Sequence, residues 1–187
     1  MVNTSKQLTV TEFLALPEGD ENFELVDGQA VPKLAPKFLH SRTQVALVLV
    51  LEEWSGERGW VGPEWAILLK RRGRDWVPLP DITFVSHERL PGALTEDGPC
   101  PVPPELAVEV ISPDQTFGEL TAKATDYLAA GIDRVWIVDP RARSITIFLP
   151  DRAPLTLAGE ETFDDPLLPG LALSPAALFD RARLPGR

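Results

Sequence analysis

A mixed central sheet flanked by helices, an α/β fold of the α+β type with an additional N-terminal hairpin, is what this 187-residue sequence predicts. Three observations predict it. From His40 onward the apolar patterns run helix, strand, strand, strand, helix, strand, an order that a sheet with helices on its faces satisfies economically. One helical pattern separates the apolar runs at 105–111 and 134–138, which suggests a right-handed parallel crossover. Near the start, Asp27-Gly28 lies between two short strand-like runs, a hairpin signal because both residues tolerate positive φ.

The elements follow from local chemistry. Residues 8–16 read as a short helix with Thr9 or Thr11 as cap and Pro17 beyond its end. Residues 23–26 and 30–34 are the hairpin strands. Residues 40–54 hold Val45, Leu47, Val48, Leu49 and Leu51 without Gly or Pro, which predicts a largely buried helix capped by Ser41, although the valines also suit a strand. Residues 64–70 and 79–85 are strand candidates joined through Arg72-Gly73-Arg74, and 90–104 is a proline-rich loop. Residues 105–111 are almost continuously apolar, the pattern of a central strand, and Ser112-Pro113-Asp114 stops it. A helical pattern over 116–130 ends at Gly131. Residues 135–138 form another buried strand, ended by Asp139-Pro140; 144–149 pairs with a neighbour, and a short helix lies near 175–179.

Composition bounds the function. The length suits one domain over 1–187, and 44% hydrophobic with 25% charged residues suits a globular core. No apolar run approaches the ~20 residues that cross a bilayer, and the start has no signal-like apolar stretch, so the expectation is a cytoplasmic chain without membrane partners. The single Cys100 makes neither an internal disulfide nor a thiolate metal cluster. Eighteen basic against 28 acidic residues leave a net charge of -10, a poor general coat for nucleic acid. DNA chemistry then requires locally grouped basic residues, or divalent cations that cancel a carboxylate cluster.

Three residues draw attention as carriers of chemistry. Alternation places Ala107, Glu109 and Ile111 on one strand face and Leu106, Val108 and Val110 on the other. Glu109 therefore sits in a buried run, where a carboxylate needs a cation, either a structural ion-pair partner or a metal. Asp81 follows Pro80 at the opening of an apolar strand; it serves either turn chemistry or, with Glu109 on a neighbouring strand, an oxygen site for Mg²⁺ or Mn²⁺. Lys123 shares a helix face with Glu119 and Tyr127 at i, i+4 and i+8, either as a solvated stripe or turned toward the sheet to orient water and stabilise phosphoryl charge.

These pieces resemble a known family. Pro80-Asp81, the run Ala107-Val108-Glu109-Val110-Ile111-Ser112-Pro113, Lys123 with Tyr127, Gly131 and Trp136-Ile137-Val138-Asp139-Pro140 are similar to the Uma2 family, restriction-endonuclease-like proteins of the PD-(D/E)xK nuclease superfamily. Phe23-Glu24-Leu25-Val26-Asp27-Gly28 and His40 match its opening pattern, so the likeness spans roughly residues 22–180. The resemblance implies a restriction-endonuclease-like helix-strand-strand-strand-helix-strand core. It also implies Asp81 and Glu109 as metal ligands, with the Val110 carbonyl as a third. One departure stands out: the superfamily lysine two positions after the Glu is Ile111 here, and the resemblance suggests that Lys123 reaches into its place.

Accessory residues have two readings each. Glu24 is an added acidic ligand or the partner of a strand-edge lysine; His40 assists metal or phosphate binding or serves local packing; Tyr127 bonds a ligand or closes the core edge. Lys70, Arg71, Arg72 and Arg74 form the densest basic patch, a DNA-backbone grip or a solvated turn. No zinc spacing, P-loop or dinucleotide glycine pattern is present, and one Cys with two His gives little support to a nucleophile-histidine triad. Three readings follow: a Mg²⁺- or Mn²⁺-dependent endonuclease hydrolysing DNA phosphodiesters, with a second copy of the chain as a candidate partner; a nuclease-fold subunit that binds DNA or protein without cutting; or an acidic homodimer whose nuclease-like residues are structural relics.

Overall fold

The computed structural model describes residues 7–17, 19, 22–92 and 97–185, so residues 93–96 of the predicted loop lie outside it. Among the described residues the first elements are helix α1 (Val10–Leu14) and strands β1 (Phe23–Val26) and β2 (Gln29–Pro32). Thr9 caps α1 in a reciprocal capping box with Glu12. Asp27 and Gly28 join β1 to β2 at φ 51° and 80°, the left-handed pair that a tight two-residue hairpin needs.

Helix α2 (Phe38–Ser55) begins earlier than expected. Lys37, extended at φ -105° and ψ 173°, is its N-cap without a side-chain cap bond. Ser41 is therefore not the cap: its N–H already donates to the Lys37 carbonyl at 2.9 Å, one turn inside the helix. That early start puts His40 in the first turn, buried.

The middle strands also depart from expectation. Of residues 64–70 only 69–70 lie in a strand, and that strand belongs to a small hairpin outside the six-stranded sheet. The chain enters the sheet sooner, through β3 (Gly59–Pro63), and a separate hairpin of β4 (Leu69–Arg71) and β5 (Arg74–Trp76) follows. The stretch read as 79–85 narrows to β6 (Ile82–Ser86). Gly59, Gly62 and Pro63 disguise β3 as a turn. At a sheet edge, however, a terminal proline is tolerated, and glycine permits close backbone approach. A Cβ on Gly59 would lie 2.3 Å from the Val85 carbonyl oxygen and 2.8 Å from the Phe84 ring. Gly59→Ala is therefore expected to lower stability by about 1–3 kcal/mol in urea unfolding, the usual cost of overpacking.

Beyond β6 come β7 (Leu106–Val110), α3 (Phe117–Ala129), β8 (Arg134–Asp139), β9 (Ser144–Phe148), the unforeseen β10 (Leu155–Ala158) and α4 (Pro175–Arg181). The six-stranded sheet runs β10-β9-β8-β7-β6-β3. Only β7 and β8 are parallel, joined by α3 as the crossover pattern requires; the other pairs are antiparallel. Without the inserted β4–β5 hairpin, the chain reads α2-β3-β6-β7-α3-β8, the predicted helix-strand-strand-strand-helix-strand order.

Each sheet face has its own core. Leu106, Val108 and Val110 pack with Leu47 and Leu51 of α2 and Phe179 of α4. Ala107 packs on the other face with Leu120, Ala124 and Tyr127 of α3. A buried aliphatic side chain contributes about 1.5–3 kcal/mol, so every position on these faces favours an apolar residue. Glu109 forgoes that gain on the α3 face, and its neighbours must supply compensation. A third cluster, Phe13, Leu25 and Val77, pins the N-terminal hairpin against β5. The Leu25 and Val77 amides exchange hydrogen bonds at 3.0 Å, which fixes the hairpin beside the open end of the sheet. Among the described residues, no helix is long and apolar enough to cross a membrane.

Candidate active site

The Ile82–Val108 pairing of β6 and β7 places the preceding Asp81 alongside Glu109, on the sheet face covered by α3. Asp81 is 2% exposed and accepts bonds at both oxygens. Lys33 Nζ stands 2.7 Å from Oδ1; His40 Nε2 lies 2.9 Å and the Val110 N–H donor 2.7 Å from Oδ2. Its backbone carbonyl accepts from Gln44 Nε2 at 3.0 Å, so α2 holds the Asp81 main chain as well as its side chain. Burial pushes the carboxyl up, but the His40 hydrogen bond and the Lys33 charge outweigh it and hold the group at about 2. An ionised carboxylate only accepts, so His40 Nε2 carries the proton on this bond.

Glu109 is 3% exposed. The Tyr127 hydroxyl donates to its Oε1 at 2.8 Å, and Lys123 Nζ is 2.9 Å from the same oxygen. Lys123 also donates to Glu24 Oε1 at 2.8 Å, and Glu24 in turn accepts from the Leu79 N–H at 2.8 Å. One ammonium thus serves two carboxylates. Burial raises the Glu109 carboxyl above its ordinary value despite Lys123, with Asp81 and Glu24 adding to the rise. For Lys123, burial pulls down, but Glu109 and Glu24 outweigh it and push the amine up, so it stays an ammonium at neutral pH. Burial next to Glu109 lifts the Tyr127 phenol well above its usual value, leaving it a donor. Tyr127 is fully buried and stacks on Trp76 at 4.9 Å between ring centroids.

These groups border one pocket of about 300 Å³. Glu24, Lys33, His40, Asp81, Glu109 and Lys123 all line it. The residues singled out in the sequence therefore meet, with Tyr127 behind Glu109 and the Val110 amide on Asp81. The capping box of α3, Thr116 with Glu119, sets the helix start so that Lys123 faces the sheet while Glu119 stays at the rim. Ile111, at the superfamily lysine position, packs against the α3-side core.

Lys33 escaped the sequence reading. It follows the hairpin between Pro32 and Leu34, and no periodicity distinguishes it from a solvated lysine. Gln44 was equally silent. Three of the four residues of the basic patch are matched by acids: Lys70 pairs with Asp75 at 2.6 Å, Arg71 with Asp27 at 2.5 Å and with Asp126 at 3.4 Å, and Arg72 with Asp126 at 3.6 Å.

The donor set suits a hard cation in a particular way. Among the described residues, no three His, Cys, Asp or Glu side chains are grouped to hold a metal ion. Mg²⁺, however, commonly uses one or two carboxylates with waters and substrate phosphate rather than a full protein cage. Asp81 and Glu109 offer that pair. Five carboxylates (Glu24, Asp81, Glu109, Asp114 and Glu119) face two lysines (Lys33 and Lys123) around the pocket, an excess of negative charge that favours a divalent ion.

Comparison with known proteins agrees with this architecture. A crystal structure titled as a "putative nuclease belonging to DUF820" from Anabaena variabilis superposes with a TM-score of 0.81 at 23% identity, covering 94% of this chain and 99% of that one. At that identity the likeness carries the fold. No curated protein matches the sequence significantly. The Uma2 family model, described as "Putative restriction endonuclease", matches residues 10–176, which is most of the chain. This protein belongs to the Uma2 family.

Proposed function

We propose that the pocket is the active site of a divalent-metal-dependent nuclease that hydrolyses DNA phosphodiester bonds. The observation that carries this reading is the meeting of Asp81, Glu109 and Lys123, remote in sequence, at the lining of one open pocket. In this reading Asp81 and Glu109 hold Mg²⁺ or Mn²⁺. The Val110 carbonyl is the third ligand: in extended backbone a residue's N–H and C=O point to the same side, and the Val110 N–H already meets Asp81. The chemistry such an ion supplies is polarisation of the phosphoryl group and a lowered pKa for water.

The protein's own groups do the rest. His40 and the Val110 amide keep Asp81 ionised and fixed in orientation. Tyr127 holds Glu109 from behind. Lys123 takes the place left by Ile111; its ammonium, 2.9 Å from Glu109, donates to an attacking water or a developing phosphoryl charge. As it stays protonated, it acts as donor and charge rather than as general base. Glu24 keeps Lys123 from collapsing wholly onto Glu109. A pocket with five carboxylates repels a phosphodiester until a dication is present, so DNA binding at the site depends on metal. A cytoplasmic setting and pairing of two copies belong to the same proposal.

The test is cleavage of plasmid, duplex and single-stranded DNA with Mg²⁺ or Mn²⁺ and with chelator. Lys123→Gln is expected to slow cleavage about 10²-fold, comparable to losing one transition-state donor. Undiminished cleavage by that variant removes Lys123 from the chemistry, and cleavage that persists in chelator removes the metal. Metal-dependent DNA binding without cleavage favours the non-cutting subunit.

A further inference from the structure

We infer that Lys33 is a resident counter-ion of this pocket: its ammonium holds Asp81 Oδ1 until a divalent cation takes that oxygen, whereupon the lysine moves toward Glu64. The inference rests on the metal reading of Asp81 and Glu109 given above. Its first support is the state of the two Asp81 oxygens. Oδ2 accepts from His40 and from the Val110 amide, which fills its two lone-pair directions. Oδ1 meets Lys33 at 2.7 Å, so it is the oxygen through which Asp81 can bind a metal ion, and Lys33 stands on it.

The second support is that Lys33 has somewhere to go. Glu64 Oε1 is 3.9 Å from its Nζ, and Glu64 is the more exposed partner at 30% against 2% for Asp81. A neighbouring pocket of about 410 Å³, lined by Asn22, Pro32, Lys33, Pro36 and Glu64, gives the side chain room on the outer side. Asn22 Nδ2 steadies Glu64 Oε2 at 3.0 Å, so the alternative partner is already in place. Lys123 differs in kind. It bridges Glu24 and Glu109 at 2.8 and 2.9 Å and lies over the Tyr127 ring at 5.6 Å, a fixed cation beside a displaceable one. Lys33 also comes from the short N-terminal hairpin rather than from the sheet or α3. Rotation about the bonds of its long, flexible side chain moves the ammonium while the backbone that carries Asp81 and Glu109 stays in place.

In the metal-free protein this arrangement neutralises Asp81; with a dication bound, a lysine left on the same carboxylate would repel it. The experiment titrates Mn²⁺ and follows the free ion by electron paramagnetic resonance, a readout independent of cleavage. Lys33→Met and Lys33→Gln are compared with the parent chain and with Lys37→Met. Lys37 is an exposed lysine paired with Asp114 at 2.5 Å on the pocket rim, and it controls for a general loss of positive charge. The expected result is a Kd for Mn²⁺ about tenfold lower in both Lys33 variants, with Lys37→Met within about twofold of the parent. Mn²⁺ should also raise the Tm of Lys33→Met by more than it raises that of the parent. Should Lys33→Met fail to fold, Lys33→Gln, which keeps a donor for Asp81, carries the measurement. Equal or weaker Mn²⁺ binding in the Lys33 variants, or a gain no larger than that of Lys37→Met, overturns the inference and leaves the metal reading standing. Absence of Mn²⁺ binding by parent and variants alike overturns both.

Discussion

Glu109→Gln is expected to lower metal-dependent DNA cleavage by about 10³-fold while leaving the metal-free chain folded, with a Tm equal to or above that of the parent. The substitution keeps shape and an accepting carbonyl oxygen for Tyr127 and Lys123, and removes only the charge. Lys123 retains Glu24 at 2.8 Å, so no ammonium is left stranded. The gain in stability follows from the charge count: two ammoniums, Lys33 and Lys123, face three carboxylates, Glu24, Asp81 and Glu109, and burial holds the Glu109 carboxyl above its ordinary value. Ionising it therefore costs stability at neutral pH, and that cost disappears as pH falls through the raised folded value toward the unfolded one. Thermal unfolding at pH 7 and pH 4, alongside the cleavage assay, checks both halves. A stability gain at pH 7 that shrinks at pH 4 marks a carboxylate kept for chemistry. A large drop in Tm at pH 7 would instead make Glu109 a structural ion-pair member.

Asp81→Ala should behave in the opposite way and unfold more easily, by about 3 kcal/mol, or roughly 10 °C in Tm for a chain of this size. Three donors converge on this side chain from three elements: Lys33 after β2, His40 in α2 and the Val110 amide at the end of β7. Alanine leaves the His40 ring and the Val110 amide without their acceptor in a site only 2% exposed, while Lys33 keeps only the longer contact to Glu64. The pH dependence has a definite sign. Held at about 2 against an ordinary 3.8, Asp81 contributes stability that is full above the unfolded value and lost as pH falls from about 4 to about 2. That contribution is about 2 kcal/mol. Urea unfolding of parent and variant at pH 7 and at pH 2.5 should show the gap between them narrowing in acid. A constant gap would mean that packing, rather than the charged network, is what the substitution removes. Because Asp81→Ala perturbs the fold, Glu109→Gln and Lys123→Gln are the cleaner probes of catalysis.

What local chemistry can encode was readable without coordinates. The apolar run of β7, the helical pattern of α3, the Gly131 stop and the Asp27-Gly28 turn each depend on near neighbours, and each lies where the residues indicate. Glu109 declared itself because a carboxylate in an apolar strand conflicts with its surroundings. Asp81 and Lys123 joined it through alternation, helical spacing and family likeness. Strand β3 was hidden because Gly59 and Pro63 signal a turn in isolation, and only pairing with β6 at a sheet edge makes them compatible with a strand. Ser41 lost the cap to Lys37 because α2 starts at Phe38, so the Ser41 N–H already donates to the Lys37 carbonyl.

Composition and spacing alone were enough for the mixed sheet, the order of its core elements and the acidic character that calls for a cation, since all three are written in neighbouring residues and in sums over the chain. Which cation stands on which carboxylate was decided by folding. Lys33 reaches Asp81 across 48 positions, and Lys123 reaches Glu24 across 99. Contacts so distant in sequence leave no periodic trace. They exist only because the Leu25–Val77 junction brings the N-terminal hairpin to the end of the sheet where β6 and β7 present their acids.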